Sequence, residues 1–452
     1  IKGEDESQYD AATWAGIGNA VLGSLLAWKV LGRRTRVMTQ HLDSATMPQF
    51  FEKRYSSGGL KLLSSAVIFI FLIPYTASLY NGLSRLFAMA FPIDYAWCVI
   101  VMAVLTAIYV IAGGYMATAI NDFIQGVVMI GGIIAVIVSV INSQGGFSVA
   151  VNKLSGISDA TAGIEAGELS SFFGPDPINL LGVVILTSLG TWGLPQMVQK
   201  FYAIKNEGAI KKGTVISTIF ALIVAGGCYF LGGFGRLFTP DYAANGSIIY
   251  DSIIPNMLSN LSPILIGVVI VLVLSASMST LSSLVLASSS TLTLDFIKGK
   301  IAKNMGEKKQ VFVMRVLIVV FIAISAVIAI LQHKSNVTFI AQLMGISWGA
   351  LAGAFLAPFL YGLYWKKTTK AAVWVNIIFS TVVMLANMLF KSYFPTLLQS
   401  PINAGAFCML IGLVIVPVVS LLTKKPEKET VDEIFSCYEK KVTVSSKESI
   451  GE

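Results

Sequence analysis

The chain has 452 residues, 55% of them hydrophobic and 12% charged, with a mean hydropathy of +0.76 and a net charge of +8. Soluble domains carry about 25% charged residues. Half that content, gathered outside long uncharged runs, excludes a soluble globular protein, a disordered chain and, despite the positive charge, a nucleic-acid binder. The composition is that of an all-α polytopic membrane protein. Residues 1–10, IKGEDESQYD, form a polar N-terminal segment. Uncharged runs follow at 11–28, 62–84, 95–121, 123–152, 177–199, 213–235, 252–294, 316–332, 335–365, 371–390 and 392–423. A helix crosses a bilayer in about 20 residues, so eleven spans are expected. The seventh starts near Ile264 and the fourth ends near the SQGG turn. Residues 424–452 read as a solvated polar tail.

Lys and Arg collect on one side. Residues 32–61 hold six, 200–212 four, 294–315 six, 365–371 three and 423–452 six, which is 25 of 32, all in alternate connections or the tail. The opposing loop 142–177 has one Lys against Asp159, Glu165, Glu168 and Asp176. By the positive-inside rule the N-terminus is outside and the C-terminus inside. Short loops and a compact tail fit a multi-pass protein of a bacterial inner membrane, and a monomer is expected. Cys98, Cys228, Cys408 and Cys437 have neither disulfide-framework nor zinc spacing. With only His41 and His333, a haem or di-metal enzyme lacks ligands, and no nucleophile–base pair marks another enzyme class.

Polar groups inside a membrane are costly, and face a cavity, a partner helix or an ion. Eleven of the nineteen residues from Ser275 to Thr293 are Ser or Thr. Ala276, Ser279, Thr280 and Ser283 follow a spacing of three and four, one face of a helix, with Ser282 beside them. Hydroxyl and carbonyl oxygens suit a small alkali cation; a small-residue packing face is the other reading. Asp122 is either a helix cap or a carboxylate facing that stripe as cation ligand or proton carrier. In LTSLGTWGLPQMVQKF (186–201), Gly190, Gly193 and Pro195 interrupt a span, as a proline kink or as unwound backbone lining a transporter cavity. Tyr75 lies beside Pro74 in another span, as a packed aromatic or a ligand contact. Gln342, Ser347 and Trp348, in AQLMGISWGALAG, are candidate cavity groups or packed residues.

Five motifs in order, GRRTRVMTQHLDSATMPQFFEKRY, YTAS (75–78), AGGYMATAINDFIQG (112–126), GLPQMVQKFYAIKN (193–206) and SASMSTLSS (275–283), resemble the sodium:solute symporter family, from Trp14 to Leu422. The resemblance implies a five-plus-five inverted-repeat fold with extra C-terminal helices and alternating-access symport of a small organic solute (an amino acid, carboxylate or sugar) with Na+. It implies a main sodium site at Ala276 (carbonyl), Ser279 and Thr280. A second site, at Ser279, Ser282, Ser283 and Asp122, corresponds to one that only some members possess. Tyr75, Thr187, Thr191 and Pro195 match cavity positions. Proline carriers have aromatics where this chain has Thr187 and Thr191, which points away from proline. Family members also carry two further helices before the one that opens this chain; the second is broken, and supplies oxygens to the main sodium site. The rival readings are a proton-coupled or sodium-independent carrier on the same fold, with Asp122 as the proton group, or a solute sensor, for which the tail offers no signalling domain.

Overall fold

In hydrocarbon a chain must satisfy its own backbone, which helices do within one segment. The structure, a computed structural model, describes residues 12–91, 93–159, 163–242, 248–259, 261–302, 304–335 and 340–438. Among these, eleven helices are long and apolar enough to span: α1 Thr13–His41, α2 Gly58–Ala90, α3 Tyr95–Ala112, α4 Ile120–Ser143, α5 Pro177–Tyr202, α6 Gly208–Leu237, α7 Pro263–Ile301, α8 Glu307–His333, α9 Ile340–Tyr364, α10 Lys370–Leu389 and α11 Pro401–Leu422. Several outrun their uncharged runs. A helix end can continue past the bilayer, where Lys and Arg reach water, so the charge boundary marks the membrane and not the helix.

The spans α3 and α4 double back on one another. Asn121 Nδ2 donates to Tyr109 Oη at 2.9 Å, whereas residues twelve apart in a straight helix are separated by about 18 Å. Thr106 of α3 touches Met278, and Gly132 of α4 packs on Leu272, so both arms lie along α7. Asp122 lies in the first turn of α4, two residues after Ile120.

The best-buried span is α9, in which every residue from Gly345 to Phe359 is buried. It packs against α2, α10 and α11. A Cβ on Gly349 would lie 2.7 Å from Gly405 Cα, so two glycines let α9 and α11 touch backbone to backbone. Among the described residues two connections depart from the all-helical expectation: Asp159 forms an antiparallel bridge with Ile164, and a short ribbon forms after α6. Asp241–Tyr242 pairs antiparallel with Ile248–Ile249, with Asp241 opposite Ile249.

The connections rich in Lys and Arg meet on one face, here termed the basic face. Arg36 donates to the carbonyls of Tyr202 and Ile204, and Arg54, 2% exposed, to those of Gly362 and Trp365. The polar tail is not wholly solvated. Its helix Lys428–Phe435 docks on this face through buried Val431, Ile434 and Phe435. The Lys366 ammonium bonds Asp432 at 2.8 Å, and holds that carboxyl below the usual carboxylate range. On the opposite face Arg85 lies 3.8 Å from Asp251, whose carboxylate also accepts from the amide of Ile340. Burial pushes the Asp251 carboxyl up.

Candidate functional site

The Ser-rich stretch is helical through Thr291 and belongs to α7. Ala276, Ser279, Thr280 and Ser283 are all half-buried, while Ser277, Leu281, Leu284 and Val285 on other sides of the helix are buried. The stripe read from the spacing is thus one accessible face. Thr280 Oγ1 donates to the Ala276 carbonyl at 3.0 Å, and Ser282 and Ser283 donate to the Ser279 carbonyl at 2.9 and 3.2 Å. Each back-bond uses the hydroxyl proton and leaves oxygen lone pairs for a cation. Ser282, 1% exposed, faces the protein interior and stands apart from the other four.

Asp122 of α4 is half-buried within reach of the Ser279 hydroxyl and feels the positive charge of Lys200 at the end of α5. Its Oδ1 is buried without a hydrogen-bond partner. A buried carboxylate oxygen without a donor is costly, and a cation is one way to satisfy it. Among the described residues no three His, Cys, Asp or Glu side chains gather as a metal cluster. The oxygen set is one carboxylate plus neutral hydroxyls and carbonyls, which fits a weakly held alkali ion better than a tightly bound divalent one.

The span α5 is broken. Its first helix, Pro177–Leu189, gives way to a 3₁₀ turn at Gly190–Trp192, and Pro195–Tyr202 begins a new helix. The break meets an irregular stretch of α1, the wide π-helical turns of Asn19–Leu26. Thr191 Oγ1 donates to the Gly23 carbonyl at 3.0 Å, and Trp192 Nε1 to that of Leu22 at 2.9 Å. Glycine is required at Gly193 by contact: an added Cβ would lie 2.7 Å from the Leu356 amide nitrogen of α9.

Beside the break, Asn19 Nδ2 donates to Thr187 Oγ1 at 3.0 Å, and Tyr229 of α6 approaches both. Tyr75 meets the Trp348 ring edge-on at 5.6 Å, and Gly190 packs beneath that same ring. The structure therefore brings Tyr75 and Thr187 into one cluster through Trp348, Gly190 and Tyr229. Thr191 is tied to α1. Pro195 is buried at the start of its helix, and Gln342 is half-buried on α9 before Trp348; no described hydrogen bond links either to the cluster. Asn19, Tyr229 and Gln196 are absent from the residues expected as cavity groups. A lone Asn in the first uncharged run was the available signal. Gln196, 4% exposed with both amide atoms unpartnered, sat inside a motif already noted.

A multi-span bundle with a broken helix and an oxygen-lined stripe facing a buried carboxylate defines a secondary transporter of the multi-pass membrane class. The chain belongs to the sodium:solute symporter family, whose profile matches residues 8–389. A sodium/proline symporter of Staphylococcus aureus is 29% identical over 436 residues, covering 92% of this chain and 80% of that protein. The solved structure of a Na+-coupled sialic acid symporter in a substrate-bound outward-open state superposes with a TM-score of 0.64 at 17% identity, over 93% of this chain and 92% of that one. The fold is thus the five-plus-five inverted-repeat symporter fold expected from the motifs, in a multi-pass cell-membrane protein. Membership makes the chain a transporter that imports a solute with sodium.

Proposed function

We propose that Ala276, Ser279, Thr280, Ser283 and Asp122, with Ser282 behind them, hold the coupling sodium. Tyr75, Thr187 and Trp348, joined by Asn19 and Tyr229, line the path of a small organic solute of the amino acid, carboxylate or sugar class. The observation that carries this reading is the half-buried α7 stripe facing the unpartnered Asp122 oxygen. For the solute, the buried Trp348 indole N–H, within reach of the Tyr75 hydroxyl, offers a donor of the kind that recognises a polar ligand and rejects an apolar one. Proline is the first solute to test, because the Staphylococcus relative is a sodium/proline symporter. Thr187 gives the cluster a smaller, more polar wall than an aromatic would. The N-terminus is placed outside, which puts the basic face in the cytoplasm.

One charge crossing 100 mV releases about 2.3 kcal/mol, and a tenfold sodium gradient adds about 1.4 kcal/mol. A single ion then supports accumulation of roughly 500-fold. Sodium bound between α7 and Asp122 would fix α4 against α7, so that solute binds well only when the ion is present. By linkage, solute raises sodium affinity by the same factor. The test is uptake of labelled proline, pantothenate, sialic acid and glucose by proteoliposomes under an inward sodium gradient. Thr280→Ala should raise the sodium concentration for half-maximal uptake about tenfold, as loss of one oxygen ligand predicts. Unchanged sodium activation in that variant would remove Thr280 from the site.

A further inference from the structure

We propose that a cavity of about 450 Å³ on the basic face binds a phosphate-bearing anion, supplied by the headgroup of an anionic phospholipid. The cavity lies where α1 and α9 end, beneath the docked tail, and Arg34, Lys366 and Lys367 line it together with aromatic rings. The Arg34 guanidinium is sandwiched between Tyr364 at 4.1 Å and Tyr438 at 4.5 Å. Nη1 donates to the Leu363 carbonyl at 3.1 Å. The rings and that bond fix the guanidinium plane, and leave most of its five N–H donors uncommitted. A planar, pre-oriented fork of this kind matches two oxygens of a phosphate.

The charge balance favours an anion. Asp432 is paired with Lys366, and among the described residues no carboxylate pairs with Arg34 or Lys367. The position favours a lipid over a soluble phosphate. Tyr364 is the last residue of α9 and is 41% exposed, at the level where the chain leaves the hydrocarbon. Tyrosine at that depth anchors headgroups, and basic side chains beside a span attract anionic lipids by about 1 kcal/mol each. An occupied site would clamp α1, the turn after α9 and the tail together, because Tyr438 also donates to the Arg34 carbonyl at 3.3 Å.

The test is native mass spectrometry of the detergent-purified chain titrated with phosphatidylglycerol, phosphatidylcholine or glycerol 3-phosphate. Phosphatidylglycerol should be retained in preference to phosphatidylcholine. Lys367→Gln, an exposed position that leaves the Arg34 stack intact, should weaken that binding about fivefold, the factor equivalent to about 1 kcal/mol. Arg34→Gln should weaken it at least as much. Lys205→Gln, an exposed lysine elsewhere on the same face, should leave it unchanged. Equal binding of the two lipids, or an equal loss in Lys205→Gln, would overturn the site. Displacement of phosphatidylglycerol by glycerol 3-phosphate at comparable concentration would overturn the lipid source.

Discussion

Two aspartates border the Ser-rich stretch of α7, one within that helix and one on α4, and they differ both in burial and in hydrogen bonding. Asp295, near the basic-face end of α7, is fully buried and fully satisfied: Oδ2 accepts from Thr46 Oγ1 at 2.6 Å and Oδ1 from Gln49 Nε2 at 2.7 Å. Asp122 is only half-buried, yet its Oδ1 has no partner. Burial alone would have ranked Asp295 as the more unusual carboxylate. What separates a structural carboxylate from a ligand is the unmet oxygen, and here that oxygen belongs to the residue that faces the hydroxyl stripe. Asp295 instead ties α7 to the loop ahead of α2, so its effect on transport would pass through structure.

Exchanging the two roles would break this comparison. Asp122→Asn should weaken sodium activation of uptake about 10- to 100-fold, the range of a lost charge-assisted contact of about 1.5–3 kcal/mol. Its stability in potassium should be unchanged, since no protein hydrogen bond to Oδ1 is lost. Dose–response curves of uptake against sodium read the first, and thermal unfolding the second. Asp295→Asn should do the reverse. An asparagine can keep its oxygen on Gln49 Nε2, but its amide then faces Thr46 Oγ1, which already accepts from the Gln49 backbone amide, and the charge on both bonds is lost. The expected cost is about 2 kcal/mol of stability, seen as a lower Tm, with the sodium concentration for half-maximal uptake little changed. A sodium defect in Asp295→Asn as large as that in Asp122→Asn would erase the distinction.

Much of this was legible along the chain. Uncharged runs located all eleven spans, because exclusion of charge from hydrocarbon is a one-dimensional signal. The break in α5 was announced by Gly190, Gly193 and Pro195, whose costs in a helix are local. The helical spacing of Ala276, Ser279, Thr280 and Ser283 gave the accessible stripe directly. Contacts between distant segments were not legible. Asn19 reaches Thr187 across 168 positions, and nothing near either residue reports the other. Asp295 was read only as the end of a run, since a charge at a span boundary carries no sign of whether donors meet it. The tail reads as polar by composition, and only its packing reveals that Val431, Ile434 and Phe435 form one buried side. The contact of Asn121 with Tyr109, which sets α4 against α3, was equally invisible along the chain.

The most direct measurement of the central claim is thermal unfolding of the purified chain in sodium and in potassium at equal ionic strength, beside Asp122→Asn. A ligand that binds only the folded state raises Tm by mass action. The account predicts a rise specific to sodium that disappears in Asp122→Asn. Equal Tm values for the unaltered chain in the two cations, or an undiminished sodium rise in Asp122→Asn, would contradict it.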